Sequence, residues 1–148
     1  MSPSECVNQL TREEWRDLGF YYEHREGRWV FVGAPSGPQG FPRLLRAYAE
    51  DPRKVVPSEH EHYGPYMYLK VVTSDAPRIG EDAIRGSLPD LTRLADLFEQ
   101  RLRIHGPGSS FEIDHDYGPR NTSTVRVEVR PEGFDPAAAD PLLSAPPA

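Results

Sequence analysis

The densest run of side chains able to do chemistry is Glu59-His60-Glu61-His62-Tyr63-Gly64-Pro65-Tyr66, with Tyr68 close behind it. Histidines two apart point the same way along an extended chain. Two such imidazoles can share a Zn²⁺ or similar ion, with His115, Asp114 or Asp116 as a further ligand. A structural zinc site closes with four ligands at recognisable spacing, and this chain offers a single cysteine and no HExxH helix. The bland alternative is a polar loop whose histidines hydrogen-bond to neighbouring carboxylates, with no cofactor. Glu59 and Glu61 would serve as general acid and base only if their surroundings pushed their pKa values apart, and no residue pattern indicates that. The tyrosines give the run a different capacity, because Tyr and His carry apolar bodies with polar tips, the mix enriched where proteins meet. Glu59, His60, Glu61, His62, Tyr63, Tyr66 and Tyr68 are therefore the candidate partner-binding residues.

Other chemistry is thinly represented. There is no Gly-x-Ser-x-Gly elbow, and Cys6 lies near the N-terminus, in a stretch read as frayed. The Gly33 to Gly40 loop leads from a strand into a helix start, where an anion could sit. It lacks the Lys-Ser/Thr ending of a phosphate-binding loop, and its two prolines remove donors. His115, alternating with Phe111 and Ile113, reads as a core histidine. The expectation is a binding protein and not an enzyme.

The elements that must position these residues follow from periodicity. Phe20, Tyr22 and His24 alternate with Tyr21, Glu23 and Arg25, then Glu26-Gly27 makes a two-residue hairpin loop into Arg28-Trp29-Val30-Phe31-Val32. Phe41, Leu44, Leu45 and Tyr48 fall at helical spacing, and Asp51-Pro52 stops that helix at residue 50. Tyr66 to Thr73 reads as a strand with Met67, Leu69 and Val71 on one face and Tyr66, Tyr68 and Lys70 on the other. A short strand is possible at Ala83-Ile84-Arg85. Ser87 and Asp90 form a capping-box pattern ahead of the stripe Leu91, Leu94, Ala95, Phe98 and Leu102, which Gly106-Pro107-Gly108 ends. A second hairpin joins Phe111, Ile113, His115 and Tyr117 to Val125, Val127 and Val129, with carboxylates facing arginines on its polar side. The order β-β-α-β-(β)-α-β-β predicts an α+β domain, an antiparallel or mixed sheet of five to six strands with two helices on one face. Residues 1–15 read as a partly flexible segment, 16–131 as one domain and 132–148 as a disordered Pro/Ala-rich tail.

Composition sets the outer limits. The chain of 148 residues suits one domain, and its net charge of −6 with a pI near 5.3 repels nucleic acid and anionic lipid while attracting a basic protein. A lone cysteine suits a reducing compartment, and Met1-Ser2-Pro3-Ser4-Glu5 does not resemble a signal peptide. With apolar runs far short of a membrane span, a cytoplasmic location is expected.

One resemblance goes further. The run from Glu59 to Leu69, the acidic loop with Asp75 and Pro77, Ile84-Arg85-Gly86-Ser87-Leu88 and the Leu91, Leu94, Ala95 helix resemble immunity proteins of bacterial polymorphic toxin systems, over about residues 20 to 105. The resemblance implies a cytoplasmic α+β inhibitor that binds a cognate toxin domain, with no catalytic residues to carry over. The alternative is a small metal-binding protein or metalloenzyme built on His60, His62 and nearby carboxylates.

Overall fold

The computed structural model describes residues 2–36 and 40–144. Among them are four α-helices and eight strands in two mixed sheets of four, which is the expected α+β class with the strands divided differently.

The first element is helix α1, Pro3–Leu18, where a partly flexible segment was expected over residues 1–15. Its signals are conventional: Ser2 caps it, accepting from Glu5 N while the Glu5 carboxylate accepts from Ser2 N, and Gly19 closes it at φ 92. Strands β1, Tyr21–Arg25, and β2, Arg28–Gly33, form the expected hairpin, and both loop residues, Glu26 and Gly27, have positive φ, as a type I′ turn requires. Helix α2 runs Gly40–Glu50, and Asp51 caps a 3-10 turn at Pro52–Val55. Of the Gly33 to Gly40 loop, residues 37–39 lie outside the described residues.

Next come β3, His60–Tyr63, β4, Leu69–Thr73, β5, Arg78–Ile79, and β6, Ile84–Gly86. Helix α3, Leu88–Ile104, follows with the Ser87/Asp90 capping box as read, and its stripe Leu91, Leu94, Ala95, Phe98 and Leu102 is buried. Strands β7, Ser110–Ile113, and β8, Thr124–Val129, make the last hairpin. The chain then adds a 3-10 turn at Pro136–Ala139 and a short helix α4, Pro141–Ser144.

The first sheet has the order β1-β2-β8-β7, with β2 and β8 parallel. The second has the order β3-β4-β6-β5, with β4 and β6 parallel. One sheet of five to six strands was expected because β3 is too polar, and β5 at two residues too short, to show an alternating pattern.

Two further expectations are corrected. The strand read from Tyr66 begins only at Leu69, because Met67 takes a left-handed φ of 60 and its N–H bonds Gly64 O in a turn. His115 is not a core residue: β7 stops at Ile113, the Asp116 side chain accepts from Asp114 N, and the turn swings His115 out to 73% side-chain exposure.

The tail reading over 132–148 fails for its described part. The 3-10 turn packs on α1, β1 and β2, with Pro136 and Ala137 buried, and Asp140 is 1% exposed. Asp140 accepts from Trp15 Nε1 at 2.8 Å and from Tyr66 Oη at 2.6 Å. The physical reason lies in β2, where Trp29 to Val32 are apolar without alternation. A strand apolar on both sides needs cover on both sides, and this turn hides part of the outer face that bears Val30 and Val32. Residues 145–148 lie outside the described residues.

Candidate partner-binding surface

Of the seven residues singled out by sequence, Glu59 immediately precedes β3, the edge strand of the second sheet, and the others fall on β3 and on the turn that joins it to β4. A bulge opens the strand pair: Ser58, at φ 77, donates its N–H to Thr73 O at 3.0 Å while Thr73 N donates to Glu59 O at 2.9 Å, so two residues face one. Tyr48 Oη adds a bond to Glu59 O at 2.7 Å. From there β3 pairs antiparallel with β4, His60 opposite Val72 and Tyr63 opposite Leu69.

His60 and His62 share a face as the spacing required, their ring centres 5.2 Å apart. Each Nδ1 meets a backbone carbonyl, His60 with Ser58 O at 3.1 Å and His62 with Met67 O at 3.0 Å. A carbonyl only accepts, so each Nδ1 carries the hydrogen. The chain places Asp114, His115 and Asp116 in a different turn, and among the described residues no group of three or more His, Cys, Asp or Glu is placed to hold a metal ion.

Glu61 points to the opposite face and pairs with Lys54 Nζ at 3.2 Å, which raises the lysine above its ordinary range, chiefly through that hydrogen bond. Lys54 also bonds His60 O at 3.3 Å. Tyr63 is half-buried, and burial pushes its hydroxyl pKa up. Tyr66 packs against Trp15 and gives its hydroxyl to Asp140; burial first, then that carboxylate, raises it too. Tyr68 is the outlier at 70% exposure, beside Met67 at 56%. The turn presenting both is held at each end. Gly64 lies so close to the Tyr22 ring that a Cβ there would come within 2.5 Å of it, and Tyr66 is fixed by Asp140.

Sequence reasoning missed the neighbours across the sheet boundary. Between hairpin β1–β2 and the start of β4 lies an open cleft of about 470 Å³ lined by Tyr22, Glu23, His24, Trp29, His62, Met67, Tyr68, Lys70, Glu81 and Asp82. The signal available for it was the alternation of β1, which sets Tyr22 and His24 on one face. A wider depression of about 770 Å³ covers the outer face of the first sheet. Its arginines are engaged internally: Arg25 with Glu23 at 3.2 Å, Arg28 with Glu112 at 3.4 Å, and Arg130 with Glu128 at 3.0 Å. The carboxylate-to-arginine pairing expected across the second hairpin is Arg126 with Glu112, its facing residue, at 4.0 Å.

No helix among the described residues is long and apolar enough to cross a membrane. Compared with known proteins, the chain matches no protein family, no curated protein and no solved structure.

Proposed function

We propose that this chain is a partner-binding protein, a cytoplasmic immunity protein that occupies and inhibits a cognate, basic bacterial toxin domain. The observation that carries the reading is the turn of residues 64–68. A non-glycine residue at positive φ is strained, and such strain persists where surrounding structure enforces it for use. Here it holds Met67 and Tyr68 in solvent beside an open strand edge. Rigid, exposed aromatic and Met side chains are what an interface core is made of, and a net charge of −6 steers basic partners toward them. The chain acts here as an inhibitor and not as an enzyme.

Co-expression with the toxin domain encoded beside it, in a host that the toxin kills, tests this. Survival and a co-eluting complex are expected; death of the host with no complex overturns the reading. Within the complex, Glu59→Gln with Glu61→Gln slows association and flattens its salt dependence, while Tyr63→Ala, Tyr66→Ala or Tyr68→Ala speeds dissociation.

A further inference from the structure

We infer that the cleft between the two sheets is a receptor for an arginine side chain presented by the partner. The proposal rests on the partner-binding reading only for the source of that arginine. The floor is aromatic and fixed: Tyr22 and Trp29 are buried, their ring centres 6.2 Å apart, and Trp29 Nε1 is tied to Gly80 O at 2.9 Å. One wall is the exposed pair Met67 and Tyr68. The rim carries two carboxylates, Glu81 and Asp82, against one ammonium, Lys70, while the Glu23 carboxylate turns to Tyr21 and Arg25 on the outer face of the first sheet. Arg85, which pairs with Asp82, does not line the cleft, and Glu81 makes no ion pair among the described residues.

A planar, weakly hydrated guanidinium suits those surroundings best. It stacks on the exposed Tyr68 ring and forks onto carboxylates, whereas a carboxylate ligand would meet like charge and a purely apolar one would cover Glu81 without pairing it. Because the aromatic floor is already held in place, little ordering remains to be done on binding.

The test is an NMR titration of the ¹⁵N-labelled full chain with Nα-acetyl-arginine amide, and with the matched citrulline and glutamate amides. Saturable shifts are expected at the Trp29 indole N–H and at the amides of Met67, Tyr68 and Glu81. Citrulline, the uncharged isostere, should bind at least severalfold more weakly and glutamate not at all. Tyr68→Ala and Glu81→Gln, both at exposed side chains, should each weaken arginine by about two- to fivefold, the scale of one exposed cation–π or ion-pair contact. Citrulline binding as tightly as arginine, shifts that map to the outer face of the first sheet, or no saturable shift overturns the proposal. No toxin is present in the titration, so its failure leaves the immunity reading to its own survival assay.

Discussion

Both sheets set two antiparallel hairpins side by side with their inner strands parallel, in the orders β1-β2-β8-β7 and β3-β4-β6-β5, but the balance of forces that holds them differs. The first has central strands of six residues whose inner face, Trp29, Phe31, Val125, Val127 and Val129, is sealed by α3 and its Phe98. Area removed from water is its main support. The second has strands of two to five residues, short for independent stability. It too buries Leu69, Val71, Ile79 and Ile84 in the common core, and it is further fastened through polar tips of buried aromatics: Trp29 Nε1 to Gly80 O, Tyr117 Oη to Arg85 O at 2.7 Å, and Tyr48 Oη to Glu59 O. Tyr22 Oη adds a fourth tether at the end of the β3–β4 ladder, donating to Tyr63 O and accepting from Leu69 N. A small sheet fastened at points can present a strained turn at its margin while the larger one supplies the stability.

The strongest way to break this contrast is Phe98→Ala. Phe98 packs on Phe31, Phe41 and Phe111, and its truncation should cost about 3 to 5 kcal/mol by denaturant midpoint, lowering protection in both sheets together. A near-wild-type midpoint would show that the helix stripe does not carry the first sheet. Asp140→Ala comes next, since it strands the Trp15 indole N–H and the Tyr66 hydroxyl; about 2 to 4 kcal/mol should be lost, seen in thermal melts. Tyr117→Phe should cost about 1 to 2 kcal/mol. Its signature is local, with amide exchange accelerated at β6 and unchanged at β8; equal acceleration in both would mean that the tethers serve the whole molecule alike.

The smallest effects belong to exposed ion pairs. Arg126→Ala on the outer face of the first sheet should change stability by less than about 0.5 kcal/mol. Asp135 is held below the usual carboxylate range, first by its hydrogen bond to Arg16. A depressed folded value means that its contribution is complete above the unfolded carboxylate range, near pH 4, and is lost as pH falls through the lowered value. Asp135→Asn should therefore lower stability slightly at neutral pH, where the contribution is complete, flatten the acid limb of the stability curve, and converge with wild type as pH falls below the lowered value.

What could be read in advance was local. The Glu26-Gly27 hairpin, the Ser87 capping box and the α3 stripe declared themselves because each signal sits within a few residues of its element. The shared face of His60 and His62 followed from a period of two. Helix α1 carried an equally local cap in Ser2, Pro3 and Glu5, outweighed by its position in the chain. The division into two sheets was not legible, since which strands pair depends on contacts far apart in sequence. The cleft escaped for the same reason: its walls come from residues 22–29, 62–70 and 81–82, and no single stretch contains it. The C-terminal Pro/Ala composition misled because Ala137 and Pro136 are small enough to pack beneath longer side chains, and composition says nothing of a waiting apolar face.

The clamp on Asp140 also sets a schedule for the chain's synthesis. Trp15 and Asp140 are 125 residues apart in sequence. At about 5 to 20 residues per second, the N-terminal helix is made roughly 6 to 25 seconds before its acceptor exists. Through that interval the Trp15 indole has the Tyr21 and Tyr22 rings to pack on, but its N–H lacks the carboxylate that accepts it in the finished fold. The segment that carries Asp140 thus fastens α1 and the Tyr66 turn together, through one carboxylate.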